Sequence, residues 1–245
     1  MKSDVLWVVI PAYNESRYIS QCLMGFAGQT DKHFRIVLVD NASTDDTVEV
    51  ARAVAEQHGL QLDIVTEPHK GTGWACRTGF RFAIDNGAVT LARTDADCAP
   101  DKAWVAEMRR QFMKGYDFIG GLVKPYRHES FFPKLRFRVA FSIIRLAIYH
   151  RHLKQGGTIR RLVMSPGANL AITTDLYSAI GGFSKTSIET QHEDLDLSER
   201  ALKAAKRVTE CRRAVIYTSS RRLMKLGLRG TLKWYGKQEG VIDIR

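Results

Sequence analysis

Residues 89–97 have the sequence VTLARTDAD, in which an apolar run at 89–92 leads directly to two aspartates, Asp95 and Asp97. A run of this length and composition predicts a buried strand, so both carboxylates are expected at the carboxyl end of that strand. Two acids so close together repel each other unless a cation lies between them. One interpretation is therefore a divalent metal that bridges to phosphate, and the other is that both aspartates cap a helix beginning near Pro100.

Apolar runs alternate with helix-like stretches on both sides of this segment. Strands are predicted at residues 6–10, 36–39, 62–65, 89–92, 118–119, 167–173 and 215–218. Helices are predicted between them, at residues 16–26, 44–57, 73–86, 100–114 and 195–205. This alternation predicts an α/β fold with βαβ units and a Rossmann-like, mostly parallel central sheet that carries helices on both faces.

Three of the predicted strands end in polar residues, at 11–15, 40–43 and 95–97. In an open parallel sheet, ligands bind at the carboxyl ends of the strands. Three such ends on one edge of the sheet therefore favour a binding site over three unrelated helix caps.

Length and composition are those of an ordinary globular domain. The chain has 245 residues, of which 44% are hydrophobic, which is enough for one large α/β domain with a buried core. No apolar run reaches the ~20 residues that span a bilayer, and residues 1–16 lack the apolar centre of a signal peptide. The four cysteines are widely spaced, which favours neither a disulfide framework nor a zinc site and predicts a cytoplasmic protein.

The net charge of +11 is concentrated in two basic blocks, residues 124–164 and 203–233, each of which sums to +9. The rest of the chain sums to −7. Such blocks predict a localised anionic partner. Within the first block, residues 131–152 have the periodicity of an amphipathic helix. This helix either packs on the core or lies in a membrane interface, at the inner face of the membrane.

Four motifs, in this order, resemble those of the family 2 glycosyltransferases, which have the GT-A fold. They are residues 8–15 (VVIPAYNE), 39–47 (VDNASTDDT), 95–97 (DAD) and the pair Glu193-Asp194. The resemblance implies a single GT-A domain over residues 1–245, with a nucleotide-binding half at 1–122 and an acceptor-binding half at 123–245. It also implies the activity of a glycosyltransferase of the hexosyltransferase class.

The resemblance implies a nucleotide site at the first two strand ends. Pro11, Ala12, Tyr13 and Glu15 match the motif that forms the wall beside the base and the ribose in the family. An aromatic ring suits a flat base and a carboxylate suits ribose hydroxyls. Asp40 matches the aspartate that accepts a hydrogen bond from the base. Because a carboxylate only accepts, this match favours a base that presents an N–H and supports a UDP-sugar donor.

The resemblance also implies which residues surround the diphosphate and the acceptor. Lys70 or Arg77 would contact the diphosphate by charge-assisted hydrogen bonds, or else both are simply solvated cations. Asp97 would bind Mg²⁺ or Mn²⁺, with Asp95 contacting a water on the metal or the ribose. Asp194 would be the base that takes the proton from an acceptor hydroxyl in an inverting transfer.

Three assignments stay open at this point. Ser43 and Thr44 are predicted to cap the second helix. Asp196 competes with Asp194 as the base, because both precede or begin the same predicted helix. Asn169 either binds an acceptor hydroxyl or belongs to an ordinary strand.

The chain departs from the processive members of the family. Those members carry a Gln-x-x-Arg-Trp motif, and the nearest match, residues 238–242, has the sequence QEGVI. The departure favours transfer of a single sugar. Instead, a basic loop at residues 219–222 (SSRR) follows the last predicted strand, where it could close over a diphosphate.

Two other functions compete with sugar transfer. A nucleotidyltransferase would use a similar metal and phosphate arrangement, but it would need a glycine-rich loop after the first strand, and residues 11–16 contain no glycine. The second is a non-catalytic module that binds a nucleotide sugar or a membrane. Nucleic acid is not an expected partner, because the basic blocks lack interleaved stacking aromatics. If the first basic block binds a membrane, a lipid-linked hydroxyl acceptor is expected.

Overall fold

The structure, a computed structural model, describes residues 5–126, 167–184 and 193–219, together with seven single positions between 135 and 230. Its strands are β1 (Leu6–Ala12), β2 (Phe34–Asp40), β3 (Leu62–Thr66), β4 (Thr90–Arg93), β5 (Cys98–Pro100), β6 (Phe118–Pro125), β7 (Leu170–Thr173) and β8 (Val208–Thr218). Its helices are α1 (Ile19–Ala27), α2 (Thr47–His58), α3 (Thr72–Asp85), α4 (Trp104–Met113), α5 (Thr174–Ala179) and α6 (Glu193–Ala204). A 3₁₀ turn at Gly167–Asn169 leads into β7.

Among the described residues, the eight strands form one sheet in the order β3-β2-β1-β4-β7-β6-β8-β5. Strands β3, β2, β1 and β4 run parallel to one another, and β6 is parallel to β8. Strand β7 runs antiparallel to both β4 and β6, and β5 runs antiparallel to β8. The predicted mostly parallel sheet is confirmed, with β5 as a short strand that the sequence pattern does not predict.

The alternating side chains of β1 explain why helices cover both faces of the sheet. Val8 and Ile10 are buried on one face, in a cluster that includes residues of α1 and α4. Val9 is buried on the other face, in a second cluster that includes residues of α3 and α6. Because successive residues of a strand point to opposite faces, one uninterrupted apolar run fills both cores.

Helix α3 packs directly on the sheet at Gly79. A Cβ atom at this position would lie 2.4 Å from Val9 Cγ1 and 2.6 Å from Val39 Cγ2, so no side chain fits unless the helix moves away. This close approach fixes α3 over β1 and β2. The first turn of α3 is thereby held near the carboxyl ends of those two strands.

Asn169 is a core residue. Its side chain is buried, and its Nδ2 donates to the carbonyl oxygens of Leu122 and Ala214, each at 3.0 Å. Its Oδ1 accepts a hydrogen bond from Trp104 Nε1 at 2.8 Å. The amide therefore joins β6, β8 and α4 with its donors and acceptor satisfied inside the protein. The hypothesis that Asn169 binds an acceptor hydroxyl is wrong.

The amphipathic helix predicted at residues 131–152 lies largely outside the described residues. Five positions within it are described, and all five are helical and exposed: Leu135, Val139, Ser142, Ile143 and Leu146. The basic loop predicted at 219–222 is described only at its first residue. In the part of the chain that the structure describes, no helix combines the length and the hydropathy needed to cross a bilayer.

Candidate active site

The loops that follow β1 and β2 are joined by hydrogen bonds at the carboxyl edge of the sheet. The backbone N–H of Asn14 donates to Ser43 Oγ at 3.1 Å, and Asn14 Oδ1 accepts from the backbone N–H of Thr44 at 2.8 Å. The backbone N–H of Glu15 donates to Thr47 Oγ1 at 2.8 Å. Helix α2 begins only at Thr47, so the prediction that Ser43 and Thr44 cap it is wrong. Both residues connect the two loops instead.

Asn41 attaches a third loop, residues 67–71, to the same edge. Its Nδ2 donates to the carbonyl oxygens of Glu67 and His69, each at 2.8 Å. Its Oδ1 accepts from the backbone N–H of Gly71 at 2.8 Å. The loops after β1, β2 and β3 therefore form one connected edge, although they come from separate parts of the chain.

Glu67 stabilises this third loop from within. Burial alone would raise the pKa of Glu67, but hydrogen bonds from the Thr78 hydroxyl and from His69 hold the pKa below its ordinary value. The carboxylate is therefore ionised at neutral pH. It links the loop to α3 through Thr78.

Tyr13 and Lys70 form a pair at this edge. Lys70 Nζ donates to the Tyr13 hydroxyl at 3.2 Å and lies 4.9 Å from the centre of the Tyr13 ring. The tyrosine is 46% exposed, so an accessible aromatic surface lies beside a cation. Asp40 ends β2 next to the end of β1, and its Oδ1 accepts from the backbone N–H of Ser43 at 3.1 Å. Tyr13, Asp40 and Lys70, which are predicted to contact the nucleotide, therefore lie at the same edge of the sheet.

The other residues predicted to surround the base and ribose lie at the same place. Pro11 and Ala12 are the last residues of β1 and pair with the last two residues of β2. Ala12 is buried, whereas Pro11 and Glu15 are partly buried. Their contact with a nucleotide stays a prediction.

Arg77 lies farther along α3 and contacts a different segment. Its Nη1 donates to the carbonyl oxygens of Phe183 at 2.9 Å and Gly181 at 3.3 Å. These carbonyls belong to the stretch that follows α5, so Arg77 is not simply a solvated cation. Its contact with a diphosphate stays a prediction.

Asp95 and Asp97 lie in the link between β4 and β5, with Cys98 beside them. One carboxylate oxygen of each aspartate and the Cys98 sulfur all lie within 4.8 Å of one another. Strand β5 follows directly, and α4 begins only at Trp104 without a side-chain cap. Neither aspartate caps that helix, so the capping alternative is wrong.

The chemistry of this cluster fits a hard divalent cation. Carboxylate oxygens are the ligands that Mg²⁺ and Mn²⁺ prefer. Burial raises the pKa of the Cys98 thiol well above its ordinary value, and the thiol donates a weak hydrogen bond to Asp97 Oδ1 at 3.5 Å. Because sulfur ligands suit softer metals than Mg²⁺ or Mn²⁺, Asp95 and Asp97 are the candidate ligands. Cys98, which the sequence analysis did not single out, is a hydrogen-bond partner of Asp97.

A buried arginine connects this cluster to the second acidic motif. Arg93, the last residue of β4, donates through Nη2 to Asp95 Oδ1 at 3.1 Å and through Nη1 to Glu193 Oε1 at 3.0 Å. Its side chain is only 4% exposed. Burial raises the pKa of Glu193, while the guanidinium of Arg93 opposes that shift. Sequence reasoning missed Arg93, although a lone charge in an apolar strand directly before the aspartates was a usable signal.

Asp194 lies in the first turn of α6, next to Glu193. Its Oδ2 accepts from the backbone N–H of Gly167 at 2.9 Å, and its Oδ1 accepts from the N–H of Leu195 at 2.9 Å. A Cβ atom at position 167 would lie 2.7 Å from Asp194 Oδ2, so the carboxylate packs directly against the glycine. The two acidic motifs, about one hundred residues apart in sequence, therefore meet around the Arg93 guanidinium.

Asp196, the competing candidate for the base, contacts other residues. Its carboxylate accepts from Ser184 Oγ at 2.6 Å and pairs with Arg200 on the next turn of α6. Burial would raise the pKa of Asp196, but the hydrogen bonds from Arg200 and Ser184 hold it below its ordinary value. A carboxylate held in this way is a poorer proton acceptor, which leaves Asp194 as the better candidate.

Comparison with known proteins identifies similar chains. The model of the family described as "Glycosyl transferase family 2" matches residues 7–172. Over 219 residues the chain is 27% identical to an uncharacterised glycosyltransferase, YaiP, of Escherichia coli strain K12; the match covers 88% of this chain and 52% of YaiP. Over 148 residues it is 29% identical to the undecaprenyl-phosphate 4-deoxy-4-formamido-L-arabinose transferase of Sodalis glossinidius. This match covers 59% of this chain and 44% of that transferase. The chain thus spans about half the length of these relatives.

The fold is also similar to that of solved structures. One is the mannosyltransferase PcManGT from Pyrobaculum calidifontis in complex with GDP-Man and Mn²⁺, with a TM-score of 0.67 and 20% sequence identity. The superposition covers 95% of this chain and 63% of PcManGT. At this identity the likeness establishes the fold, and the predicted GT-A architecture is confirmed.

Proposed function

The chain belongs to glycosyl transferase family 2, and from this premise we propose that it is an inverting, metal-dependent glycosyltransferase. It would move a single sugar from a nucleoside-diphosphate donor, preferably a UDP-sugar, to an acceptor hydroxyl. The donor would lie in the half formed by residues 1–122 and the acceptor in the half formed by 123–245. The observation that carries the proposal is the meeting of two acidic motifs, Asp95 to Asp97 and Glu193 to Asp194, around one guanidinium.

The donor nucleotide would lie along the connected loops after β1, β2 and β3. The exposed Tyr13 ring offers a flat apolar surface for the base. The Asp40 carboxylate, at the end of β2, would accept a hydrogen bond from a ring N–H. Lys70 lies beside the tyrosine and supplies positive charge for the diphosphate.

Asp97 and Asp95 would hold a divalent cation at the diphosphate end of the donor. Such a cation, Mg²⁺ or Mn²⁺, supplies Lewis-acid stabilisation of the departing nucleoside diphosphate when it is bound. The likeness to PcManGT, whose complex contains Mn²⁺, supports this proposal. So does the all-oxygen character of the two candidate ligands.

Asp194 would be the proton acceptor at the other end of the site. Its carboxylate is held by the Gly167 N–H and would take the proton from the acceptor hydroxyl. The acceptor oxygen forms a bond to the anomeric carbon while the bond from that carbon to the diphosphate breaks on the opposite side. A single displacement of this kind inverts the anomeric configuration.

Donor preference and reaction type can be tested with the purified protein. We expect a UDP-sugar with Mn²⁺ to raise the melting temperature by about 5–10 °C at a hundredfold excess over Kd. A CDP-sugar is the matched control, because its base lacks the ring N–H, and it should raise the melting temperature less. A GDP-sugar tests whether the protein prefers the nucleotide that is present in the PcManGT complex. Release of pyrophosphate from UTP and a sugar 1-phosphate would indicate nucleotidyl transfer, and a product with retained anomeric configuration would contradict the inverting mechanism.

A membrane-associated acceptor is supported by the exposed stripe at Leu135, Val139, Ile143 and Leu146. These helical residues are spaced four, four and three apart, so they share one face. They lie within the basic block at residues 124–164, which carries +9. Apolar side chains flanked by positive charge suit the surface of an anionic bilayer. The relative from Sodalis glossinidius, by its name, uses undecaprenyl phosphate, which is consistent with a lipid-linked acceptor here.

We expect the protein to bind anionic vesicles at low salt and to lose about tenfold in binding when salt screens the basic block. Leu146→Glu should weaken this binding, because it places a negative charge on the stripe at its most exposed residue. Met113→Glu, at an equally exposed methionine on α4, is the control and should bind as the wild type does. Vesicle co-sedimentation measures both. Absence of binding to anionic vesicles at low salt would contradict the membrane proposal.

A further inference from the structure

The contacts of Arg93 connect the two ends of the proposed site. Its guanidinium hydrogen-bonds Asp95 with one terminal nitrogen and Glu193 with the other, at 3.1 and 3.0 Å. We refer to these three residues as the Arg93 bridge. Both contacts are ion pairs, so one cation serves two carboxylates.

The backbone that carries Arg93 is held on both sides. Arg93 pairs with Val9 of β1 and with Leu170 of β7, so it lies in the interior of the sheet. Its guanidinium also lies 5.7 Å from the centre of the Phe183 ring, which covers it. A planar group fixed at its base and covered on one face has little freedom to move, so its two hydrogen bonds define directions for both carboxylates.

Each end of the Arg93 bridge adjoins a residue with a proposed chemical role. Asp95 is itself a candidate ligand of the donor or its metal. Glu193 directly precedes Asp194 in the first turn of α6, so a shift of the Glu193 backbone would change the position of the Asp194 carboxylate against Gly167.

The burial of the Arg93 charge is not explained by its contribution to the stability of the fold. Arg93 and Glu193 each have only 4% of their side chains exposed, and burying two charges removes them from water at a penalty that their attraction offsets only in part. A pair of apolar residues of similar size would fill the same space without that penalty. An apolar pair could not supply the directional hydrogen bonds that Arg93 donates to Asp95 and Glu193.

We propose that Arg93 is a positioning residue that keeps Asp95 and Asp194 in fixed relation, so that the bound donor and the base are aligned for transfer. The proposal rests on the function proposed above. It predicts that loss of Arg93 lowers kcat through misalignment, since a displacement of about 1 Å can lower a rate by about 10²-fold.

The test separates alignment from folding with two variants. Arg93→Met alone leaves Glu193 buried without a partner and should lower the melting temperature. Arg93→Met combined with Glu193→Leu removes both charges and should bring the melting temperature back towards that of the wild type. If Arg93 positions the site, kcat of the double variant stays about 10²-fold below the wild type even though the fold is restored.

Arg93→Lys provides a second measurement if the methionine variants do not fold. Lysine keeps the charge but lacks the planar fork that reaches both carboxylates, so kcat should fall about tenfold, to a value between those of the wild type and the double variant. Arg35→Met is the matched control, because Arg35 also pairs with an aspartate from the sheet, Asp63, at 3.0 Å. It lies near the opposite end of its strand, in β2, and its kcat should be unchanged.

The outcomes distinguish this proposal from the function on which it rests. A double variant, or Arg93→Lys, with kcat within about threefold of a wild type that transfers sugar would overturn the positioning role and leave the function intact. A wild type that turns over none of the donors overturns both. A low kcat in the folded double variant, with unchanged kcat in Arg35→Met, supports the positioning role.

Discussion

Replacing Asp194 by asparagine is expected to lower kcat by about 10²–10⁴-fold, the range that a positioned general base contributes. Asparagine has nearly the same shape, and its one side-chain oxygen can still accept the hydrogen bond from Gly167 N–H that Asp194 Oδ2 accepts at 2.9 Å, with loss of the bond from Leu195 N–H. The variant should therefore fold and bind donor normally, with KM for the donor changed little. What it lacks is a carboxylate to take the acceptor proton. Single-turnover transfer at saturating donor measures this loss.

Asp196→Asn is the matched control for that experiment. It makes the same chemical change two residues along α6, on a carboxylate that pairs with Arg200 and Ser184. We expect a modest loss of stability and a kcat near that of the wild type. If Asp196→Asn abolishes transfer while Asp194→Asn does not, the base has been assigned to the wrong residue.

The second large effect is expected for Asp97→Ala. Removing a candidate metal ligand should abolish the part of donor binding that depends on Mn²⁺ and lower kcat/KM by about 10²–10³-fold. Thermal shift with a UDP-sugar, with and without Mn²⁺, measures the binding effect. In the variant, the two melting temperatures should coincide.

Cys98→Ala distinguishes a carboxylate site from one that uses the thiol. Mg²⁺ and Mn²⁺ prefer oxygen ligands, whereas sulfur ligands suit softer metals, so we expect the Cys98 sulfur not to bind the cation. Mn²⁺ should therefore stabilise the donor complex of Cys98→Ala as it does the wild type. A loss of the Mn²⁺ effect in this variant, matching that in Asp97→Ala, would show that the sulfur is a ligand after all.

Much of the first half of the fold could be predicted from the pattern of apolar and polar residues along the chain. The apolar runs at residues 6–10 and 36–39 lie within β1 and β2 because uninterrupted apolar segments between polar ends are buried in parallel sheets. The stretch 62–65, which Asp63 interrupts, forms β3, a partly buried strand at the edge of the sheet. Polar residues after those runs are brought to one edge by the same topology. The short β5 shows the limit of this reasoning, since three residues contain no periodicity.

The errors concern residues whose role depends on distant parts of the chain. Ser43 has the chemistry of a helix cap, and only the approach of Asn14 from another loop gives it a different partner. Asn169 follows a glycine-containing turn near the predicted site, but the carbonyls that bury its amide come from β6 and β8. Such contacts are set by tertiary packing, and no local pattern encodes them.

The role of Arg93 also depends on residues that are distant in the sequence, and here the sequence reasoning missed a residue of the candidate site. In the sequence it directly follows the apolar run at 89–92, and a single charge at the end of a strand is easily dismissed as solvent-facing. Its guanidinium hydrogen-bonds the carboxylates of Asp95, two residues away in the sequence, and of Glu193, a hundred residues away. The family resemblance identifies both acidic motifs without indicating what connects them.

The amide of Asn41 has a thermodynamic consequence. Its three hydrogen bonds fasten residues 67–71 to the loop that follows β2. Ordering a loop on binding consumes part of the interaction free energy, because conformational entropy is lost at that moment. Here the entropy of this loop is already lost during folding, so a nucleotide bound as proposed would retain a larger share of its contact free energy as affinity.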